Sequence, residues 1–508
     1  MTFRQLLDGV ETLAQRGNPE ITGIQYDSRR ISPGDLFVAM RGETTDGNRY
    51  IEQAIAGGAA AVVSDTAETA PHAGIAWAHV PHGRQALARL AANFYGRPAV
   101  RMRLTGITGT NGKTTSAFLA EAILGAMGRT SALLGTVEYH IGPEVLPAPH
   151  TTPESLEIHR LLDRASRQGA SELVMEVSSH ALAQQRVFGL PFDVAVFTNL
   201  TRDHLDYHGD FEDYFEAKKF LFAGCGSEPP RLAVLNADDD YGVRLVPFAK
   251  SQGSLVVTYG IERGDFQATR INMGPQGTTF VLATPRGSAS ISTHLIGRVN
   301  VYNILAAAAA AVGRGCSLDA IRRGVAAVHR VPGRFESVDC GQPFAVVVDY
   351  AHTDDALRNL TAVARAFVSR EGHAGRVITL FGCGGDRDRT KRPLMGDAAG
   401  RGSDFVLLTS DNPRSEDPLA IINDALVGLQ KTGTRHLVEP DRRRAIERAI
   451  AEARTGDIVL IAGKGHERVQ VSAAGSLPFD DVEVARETLR AAGYTLESQE
   501  AAVAGGRR

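Results

Sequence analysis

The stretch that most constrains this chain is a glycine turn with an apolar segment before it and a helical pattern after it. Arg103 to Thr108 reads as a buried strand, Gly109-Thr110-Asn111-Gly112 as the turn, and Lys113 to Met127 as a helix stopped by Gly128. Glycines let backbone N–H groups approach phosphate oxygens, and the helix N-terminus adds positive potential. In such a turn Lys113 neutralises β- and γ-phosphate charge, and the Thr114 hydroxyl, ahead of Thr115, ligates Mg²⁺. The general GxxxxGK[ST] spacing is not met, because it asks for glycine at Ile107 and Gly106 lies one residue too early. Strand, turn, lysine and helix together nevertheless predict a nucleoside triphosphate site over a plain helix-capping turn.

The 508 residues allow about three domains. Residues 1–98 alternate short apolar runs with helical patterns and read as a small α/β unit. Residues 99–333 carry the phosphate loop, with further buried strands at Leu173 to Val177 and Val194 to Thr198. Near-continuous apolar strands between helices indicate a mainly parallel sheet covered on both faces. Positions 254 to 296 alternate without helices and predict an antiparallel flap. Residues 334–508 repeat strand and helix and read as a doubly wound, Rossmann-like sheet. The Ala-, Gly- and Arg-rich tail after Ser498 is expected to fray.

A net charge of −3 gives no basic surplus for nucleic acid. No apolar run is long enough for a membrane span, and the N-terminus lacks a signal-peptide core. Four cysteines without metal spacing read as free thiols, so a cytoplasmic chain, expected to be a monomer, follows. Only seven of the 55 basic residues are lysine: Lys113, Lys218, Lys219, Lys250, Lys391, Lys431 and Lys464. A lysine kept where arginine is the rule invites scrutiny.

The wording TGTNGKTT is followed in order by Glu176-Val-Ser178-Ser-His180, Thr198-Asn-Leu-Thr-Arg-Asp203-His204, Gly297-Arg-Val-Asn300-Val-Tyr-Asn303, Asp349-Tyr-Ala-His352, Asp411-Asn412-Pro413-Arg414 and Gly463-Lys-Gly-His-Glu467. On these motifs the chain resembles the Mur ligase family, from Asp27-Ser28-Arg29 to Glu467. The resemblance implies three domains and ATP-dependent, ADP-forming amide ligation through an acyl phosphate. Its implied substrates are UDP-N-acetylmuramoyl-L-alanyl-D-glutamate and meso-2,6-diaminopimelate, joined during peptidoglycan precursor synthesis. It also implies two Mg²⁺ ions and a lysine carboxylated by CO₂.

Residue by residue, the resemblance gives ATP the loop Gly109 to Thr115, with Asn300 and Asn303 at the adenine and Arg334, Asp349 and His352 from the third domain. It makes Lys113, Glu176, His204 and Lys218 catalytic. Thr114 and Glu176 would hold one Mg²⁺, and His204 with carboxylated Lys218 would lie at the second. Read without it, Glu176 could be a capping carboxylate, His204 a loop histidine, Lys218 and Lys219 surface lysines, and the two asparagines helix N-caps. Tyr26, Ser28, Glu43, Thr44 and Thr45 match the uridine end of the UDP substrate. Thr151, Thr152, Ser178, Gln184 and Arg186 match its muramoyl-dipeptide end. The family reads DYAHTP where this chain has Asp354 for the proline, which predicts a less stiff loop.

Diaminopimelate differs from lysine by a distal carboxylate, and a site for it needs a placed cation, ideally a guanidinium fork. The resemblance assigns Arg387 and Arg414 to that carboxylate, within Asp411-Asn412-Pro413-Arg414, and Gly463 and Glu467 to the ammonium group. Two rivals stand beside this reading. One is a sibling ligase adding another amino acid or dipeptide, or glutamate to folate. The other is a P-loop kinase or switch, which needs no third α/β domain.

Overall fold

The computed structural model describes residues 1–42, 45–66, 74–274, 277–369 and 375–495. Among these residues three large sheets carry the fold, beside a two-stranded one, Val469–Ser472 with Gly475–Pro478. The first runs in the order Ala14–Arg16, Ala76–His79, Ala61–Ser64, Asp35–Ala39 and Gly23–Gln25, parallel except for its first strand. Helix Gly83–Phe94 packs its apolar stripe (Leu87, Leu90, Ala91) on this sheet.

The central sheet has eleven strands. Its parallel core, in spatial order, is Leu255–Gly260, Leu232–Asn236, Phe192–Phe197, Arg103–Thr108, Glu172–Glu176 and Ser131–Leu134. The phosphate-loop strand is thus interior, buried on both faces, as its unbroken apolar run demands. One expectation is corrected here. Positions 254 to 296 do not form a separate antiparallel flap, because Leu255–Gly260 is a parallel core strand. Only Phe266–Gly274, Gly277–Thr284 and Gly287–Thr293 add an antiparallel edge to the same sheet. Helix Arg298–Gly313 is apolar nearly all round, with Ala306 to Ala311 buried, so it packs inside the domain.

The third sheet has the order Glu336–Ser337, Ala345–Asp349, Ile458–Ala462, Val377–Phe381, Phe405–Leu408 and Arg435–Val438, parallel after its first strand. Its strand ends face those of the central sheet. Asn111 Nδ2 donates to Asp355 Oδ2 at 3.1 Å, Arg334 Nη2 to Thr114 Oγ1 at 3.2 Å, and Lys391 Nζ lies 3.3 Å from Asp203 Oδ1. The first domain meets the central one through Arg84 and Glu154 at 3.1 Å and Tyr26 OH on Glu157 at 3.3 Å. In parallel α/β sheets ligands bind outside the carboxyl ends of the strands, so the site belongs between these two facing edges. Among the described residues no helix is long and apolar enough to cross a membrane.

Candidate active site

The phosphate loop is shaped by two glycines at positive φ. A Cβ on Gly109 (φ 145°) would lie 1.8 Å from Thr198 Oγ1, and one on Gly112 (φ 87°) 2.3 Å from Asn303 Oδ1. No other residue fits either place. The segment Thr198-Asn199 braces the loop. Thr198 Oγ1 donates to the Asn111 carbonyl at 2.6 Å, and Asn199 Oδ1 accepts the Asn111 N–H at 2.9 Å. Lys113 Nζ donates to the carbonyls of Gly109 and Thr110, each at 2.8 Å. Burial lowers its pKa, opposed by the charge of Glu176.

Glu176 closes its strand with no exposed surface. It accepts from Thr114 Oγ1 at 2.9 Å, from the Thr136 N–H at 2.7 Å and from Thr136 Oγ1 at 2.9 Å. It is therefore no helix cap. Asn300 and Asn303 do not cap either, because helix Arg298–Gly313 begins at Gly297 and the asparagines lie in its first turns. Asn300 Nδ2 donates to the Ile296 carbonyl and Asn303 Nδ2 to Asn300 Oδ1. Both line a cavity of about 430 Å³ with Thr110 to Thr115, Arg334, Asp349 and His352.

A second cavity, of about 1430 Å³, opens beside the first. Arg387, Asp411, Asn412, Arg414, Gly463 and Glu467 line it. Thr136, Thr151, Asp203, His204, Tyr350 and His352 line both cavities and so mark their junction. His204 sits there at φ 55°, its Nε2 3.3 Å from Asp203 Oδ2. Burial, against the pull of Asp203, brings its pKa down to about 3, so the imidazole is neutral. Burial would raise the Asp203 carboxyl, yet the Lys391 ammonium, with a hydrogen bond from His352, holds it well below the usual carboxylate range.

Lys218 and Lys219 part company. Lys219 pairs with Glu216 at 2.8 Å near the surface. Lys218 is 1 % exposed, donates to the Gly109 carbonyl at 3.0 Å, and lies 4.3 Å from the Tyr214 ring centroid. Burial, then the charge of Lys113, pushes its pKa well below that of an ordinary lysine.

In the larger cavity Asn412 is held from both ends. Its Oδ1 accepts from Lys464 Nζ (3.1 Å) and the Val471 N–H (2.9 Å), and its Nδ2 donates to Glu467 Oε2 at 2.7 Å. Lys464, fully buried, also reaches Glu467 Oε2 at 3.1 Å. Arg414 has φ 52° and donates to the Gly385 carbonyl at 2.6 Å. Burial and the neighbouring Arg387 lower its pKa. Two guanidiniums side by side in a cleft call for an anion between them. Gly463 is required, because a Cβ there would lie 2.5 Å from Asp411 Oδ2. The Pro413 carbonyl packs on Gly385, where a Cβ would come within 1.9 Å.

The residues matched to the UDP substrate are spread more widely. Thr152 Oγ1 donates to the Glu176 carbonyl at 2.8 Å and accepts the Ser178 N–H. Arg186 donates to the Thr152 carbonyl and to Gln184 Oε1. Thr151 accepts from Thr136 Oγ1 at 3.1 Å. Ser28 Oγ donates to Gln53 Oε1, and Tyr26 contacts Glu157, away from the two cavities. The Thr45 carbonyl accepts the Gly42 N–H, while Glu43 and Thr44 lie outside the described residues. At Asp354 the chain has already entered a helix. Thr353 caps helix Asp354–Val368 through the Ala356 N–H, and Asp354, its first residue, pairs with Arg358 one turn on. Proline and a carboxylate both suit that position. Thr136, Asp203, Lys391 and Lys464 were not singled out for a role in the sequence. Lys464 lies inside the Gly463-Lys-Gly-His-Glu467 motif, and the scarcity of lysine is a further signal for it and for Lys391.

Three family models match in order: "Mur ligase family, catalytic domain" over residues 20–95, "Mur ligase middle domain" over 107–311, and "Mur ligase, glutamate ligase domain" over 333–465. The UDP-N-acetylmuramoyl-L-alanyl-D-glutamate--2,6-diaminopimelate ligase of Solibacter usitatus is 55 % identical over 476 residues, 94 % of each chain. The enzyme of that name from Geobacillus kaustophilus is 46 % identical over 482 residues, 94 % of this chain and 96 % of its own. A solved structure of an enzyme of that name superposes with a TM-score of 0.68 at 34 % identity, covering 97 % of this chain and all of the other. MurF from Acinetobacter baumannii, 21 % identical with a TM-score of 0.66 over 91 % of this chain and 95 % of its own, shares the fold. With the loop, its bracing segment and the facing third sheet all in the matched regions, the chain belongs to the Mur ligase family.

Proposed function

We propose that this chain is an ATP-dependent, ADP-forming amide ligase that joins meso-2,6-diaminopimelate to the D-glutamate of UDP-N-acetylmuramoyl-L-alanyl-D-glutamate, in peptidoglycan precursor synthesis. The observation that carries it is the pair of cavities meeting at Asp203, His204 and His352. One is walled by a phosphate loop, the other by a guanidinium pair. A kinase or switch has no use for the second.

Amide formation from a carboxylate is uphill in water, and ATP drives it through two displacements. A D-glutamate carboxylate oxygen attacks the γ-phosphorus, the bond to the β-phosphate oxygen breaks, and ADP leaves. The neutral amine of diaminopimelate then attacks the acyl phosphate carbon, inorganic phosphate departs from the tetrahedral intermediate, and the nitrogen loses a proton. The loop N–H groups and Lys113 would stabilise charge on the transferring phosphoryl group. Arg334, reaching Thr114 from the third domain, would join them once that domain is docked.

Among the described residues no three of His, Cys, Asp and Glu gather into a metal cage. Two buried oxygens, Thr114 Oγ1 and the Glu176 carboxylate, do meet at the loop. That fits Mg²⁺, which takes one or two protein oxygens beside phosphate and water. Thr114 and Glu176 would hold one ion, and His204 with carboxylated Lys218 a second; bound there, Mg²⁺ neutralises phosphate charge. Carboxylation needs a neutral amine, and the burial of Lys218 beside Lys113 supplies that condition. Arg414 and Arg387 would grip the distal carboxylate of diaminopimelate, and Glu467 its ammonium group. ATP and a UDP-linked precursor place the reaction in the cytoplasm. The test is ADP release with the UDP-muramoyl-dipeptide, with and without diaminopimelate, lysine or glutamate. Release only with diaminopimelate supports the reading, and release independent of any amino acid refutes it.

A further inference from the structure

Behind the larger cavity lies an ion pair that none of the ligase chemistry above uses. Arg442 and Asp481 are both fully buried. Arg442 Nε donates to Asp481 Oδ1 at 2.8 Å and Nη2 to Oδ2 at 2.6 Å, a bidentate fork. The remaining donors point the other way. Arg442 Nη2 also reaches the Ala462 carbonyl at 3.0 Å, and Nη1 the Ser410 carbonyl at 3.3 Å. These are the residues directly before Gly463 and before Asp411. One guanidinium therefore fixes the start of both loops that line the amino-acid cavity.

Each partner is the first residue of a helix, Arg442–Glu452 and Asp481–Ala491. The carboxylate suits its helix start, and Asp480, which caps that helix, lines the cavity itself. A buried ion pair is weak evidence for stability, since an apolar pair of similar volume does as well or better. Its geometry is the informative part: lysine has three donors and no planar fork, so it cannot give the carboxylate two parallel bonds and still reach both carbonyls.

We infer that Arg442 and Asp481 form a positioning pair that sets the affinity for the incoming amino acid, by holding the backbones of Ser410-Asp411 and Ala462-Gly463 in register. The pair touches no substrate and acts through Asn412, Arg414 and Glu467. This inference rests on the ligase reading above.

The experiment is steady-state ADP release with each of the three substrates varied, on the wild-type chain, Arg442→Lys, and the double variant Arg442→Met with Asp481→Leu. The double variant keeps the volume buried without the fork. Both should stay folded by circular dichroism and raise the KM for diaminopimelate about tenfold, the loss of roughly one hydrogen bond to a charged group. The KM values for ATP and the UDP substrate should stay within about twofold. An unchanged KM for diaminopimelate in folded variants overturns the inference, as does an equal rise for all three substrates. Loss of folding in both variants also overturns it, because the pair would then be a general core element. A wild-type chain with no diaminopimelate-dependent ADP release defeats the ligase reading itself, which separates the two failures.

Discussion

The central and third domains each turn two lysines inward, Lys218, Lys391 and Lys464 buried and Lys113 half-buried, and the four are not alike. In the third domain Lys391 faces Asp203 at 3.3 Å and Lys464 faces Glu467 at 3.1 Å, each with a carboxylate in place. In the central domain the hydrogen bonds of Lys113 and Lys218 end on backbone carbonyls, and both reach the same one, that of Gly109. A buried cation without a paired anion is costly unless a ligand or a modification brings the negative charge. Under the proposed function the paired lysines would serve architecture, and the other two would meet their counter-charge in the reaction, Lys113 as phosphate and Lys218 by taking up CO₂.

Replacing Lys113 should break this contrast most severely. Lys113→Arg keeps the charge but puts a planar fork where the loop has room for a compact ammonium. The expected loss in kcat is about a thousandfold, of the order found when a preorganised transition-state donor is removed. Retained turnover would mean that the loop needs only positive charge. Lys218→Ala comes next, with a loss of about a hundredfold, comparable to losing a group that orients a metal site. Short-chain carboxylic acids added to this variant should restore part of the rate. Full activity without rescue would remove Lys218 from the chemistry.

Arg414→Ala tests the other cavity. Leaving the distal carboxylate of diaminopimelate unpaired should cost about 1–3 kcal/mol, a rise in its KM of roughly 5- to 150-fold with kcat less affected. Wild-type turnover with lysine equal to that with diaminopimelate would show that the guanidinium pair does not select.

The two cavities also differ in how far the sequence discloses them. The phosphate site is one contiguous segment, Gly109 to Thr115, and its strand and helix fall within a residue of expectation, the helix ending at Ala126 and not Met127. The larger cavity is assembled from segments around 385, 411 and 463, and nothing in residue spacing says that Lys464 bridges Asn412 and Glu467. Helix Lys391–Gly402 is hard to read from the sequence, because it carries Pro393 and three glycines and is buried on most sides, so it shows no amphipathic period. Lys218 and Lys219 have the same local pattern, and only the family resemblance separates them. Burial, which separates them physically, depends on residues a hundred positions away.

Stability gives the finest test of the lysine contrast, because methionine substitutions should act with opposite signs. In CO₂-free buffer Lys218→Met removes a buried amine without a counter-charge and should stabilise the protein by about 1–3 kcal/mol while it loses activity. Lys391→Met leaves Asp203 buried without its ammonium partner and should destabilise by a similar amount, about 1–3 kcal/mol. The pH dependences should differ as well. The folded pKa of Lys218 lies well below the ordinary 10.5, so the unfolded chain binds a proton that the native state does not. That penalty is complete below the folded pKa and fades as pH rises toward 10.5, so the advantage of Lys218→Met should shrink in alkali. Asp203 has a folded pKa well below the ordinary 3.8, and its contribution is present above that value and lost as pH falls through the folded pKa. The deficit of Lys391→Met should therefore persist at neutral pH and close in acid. Denaturant titrations of both variants across pH would read all four trends. Equal signs at pH 7 would mean that Lys218 is as well paired as Lys391, and the distinction between architectural and chemical lysines would fall.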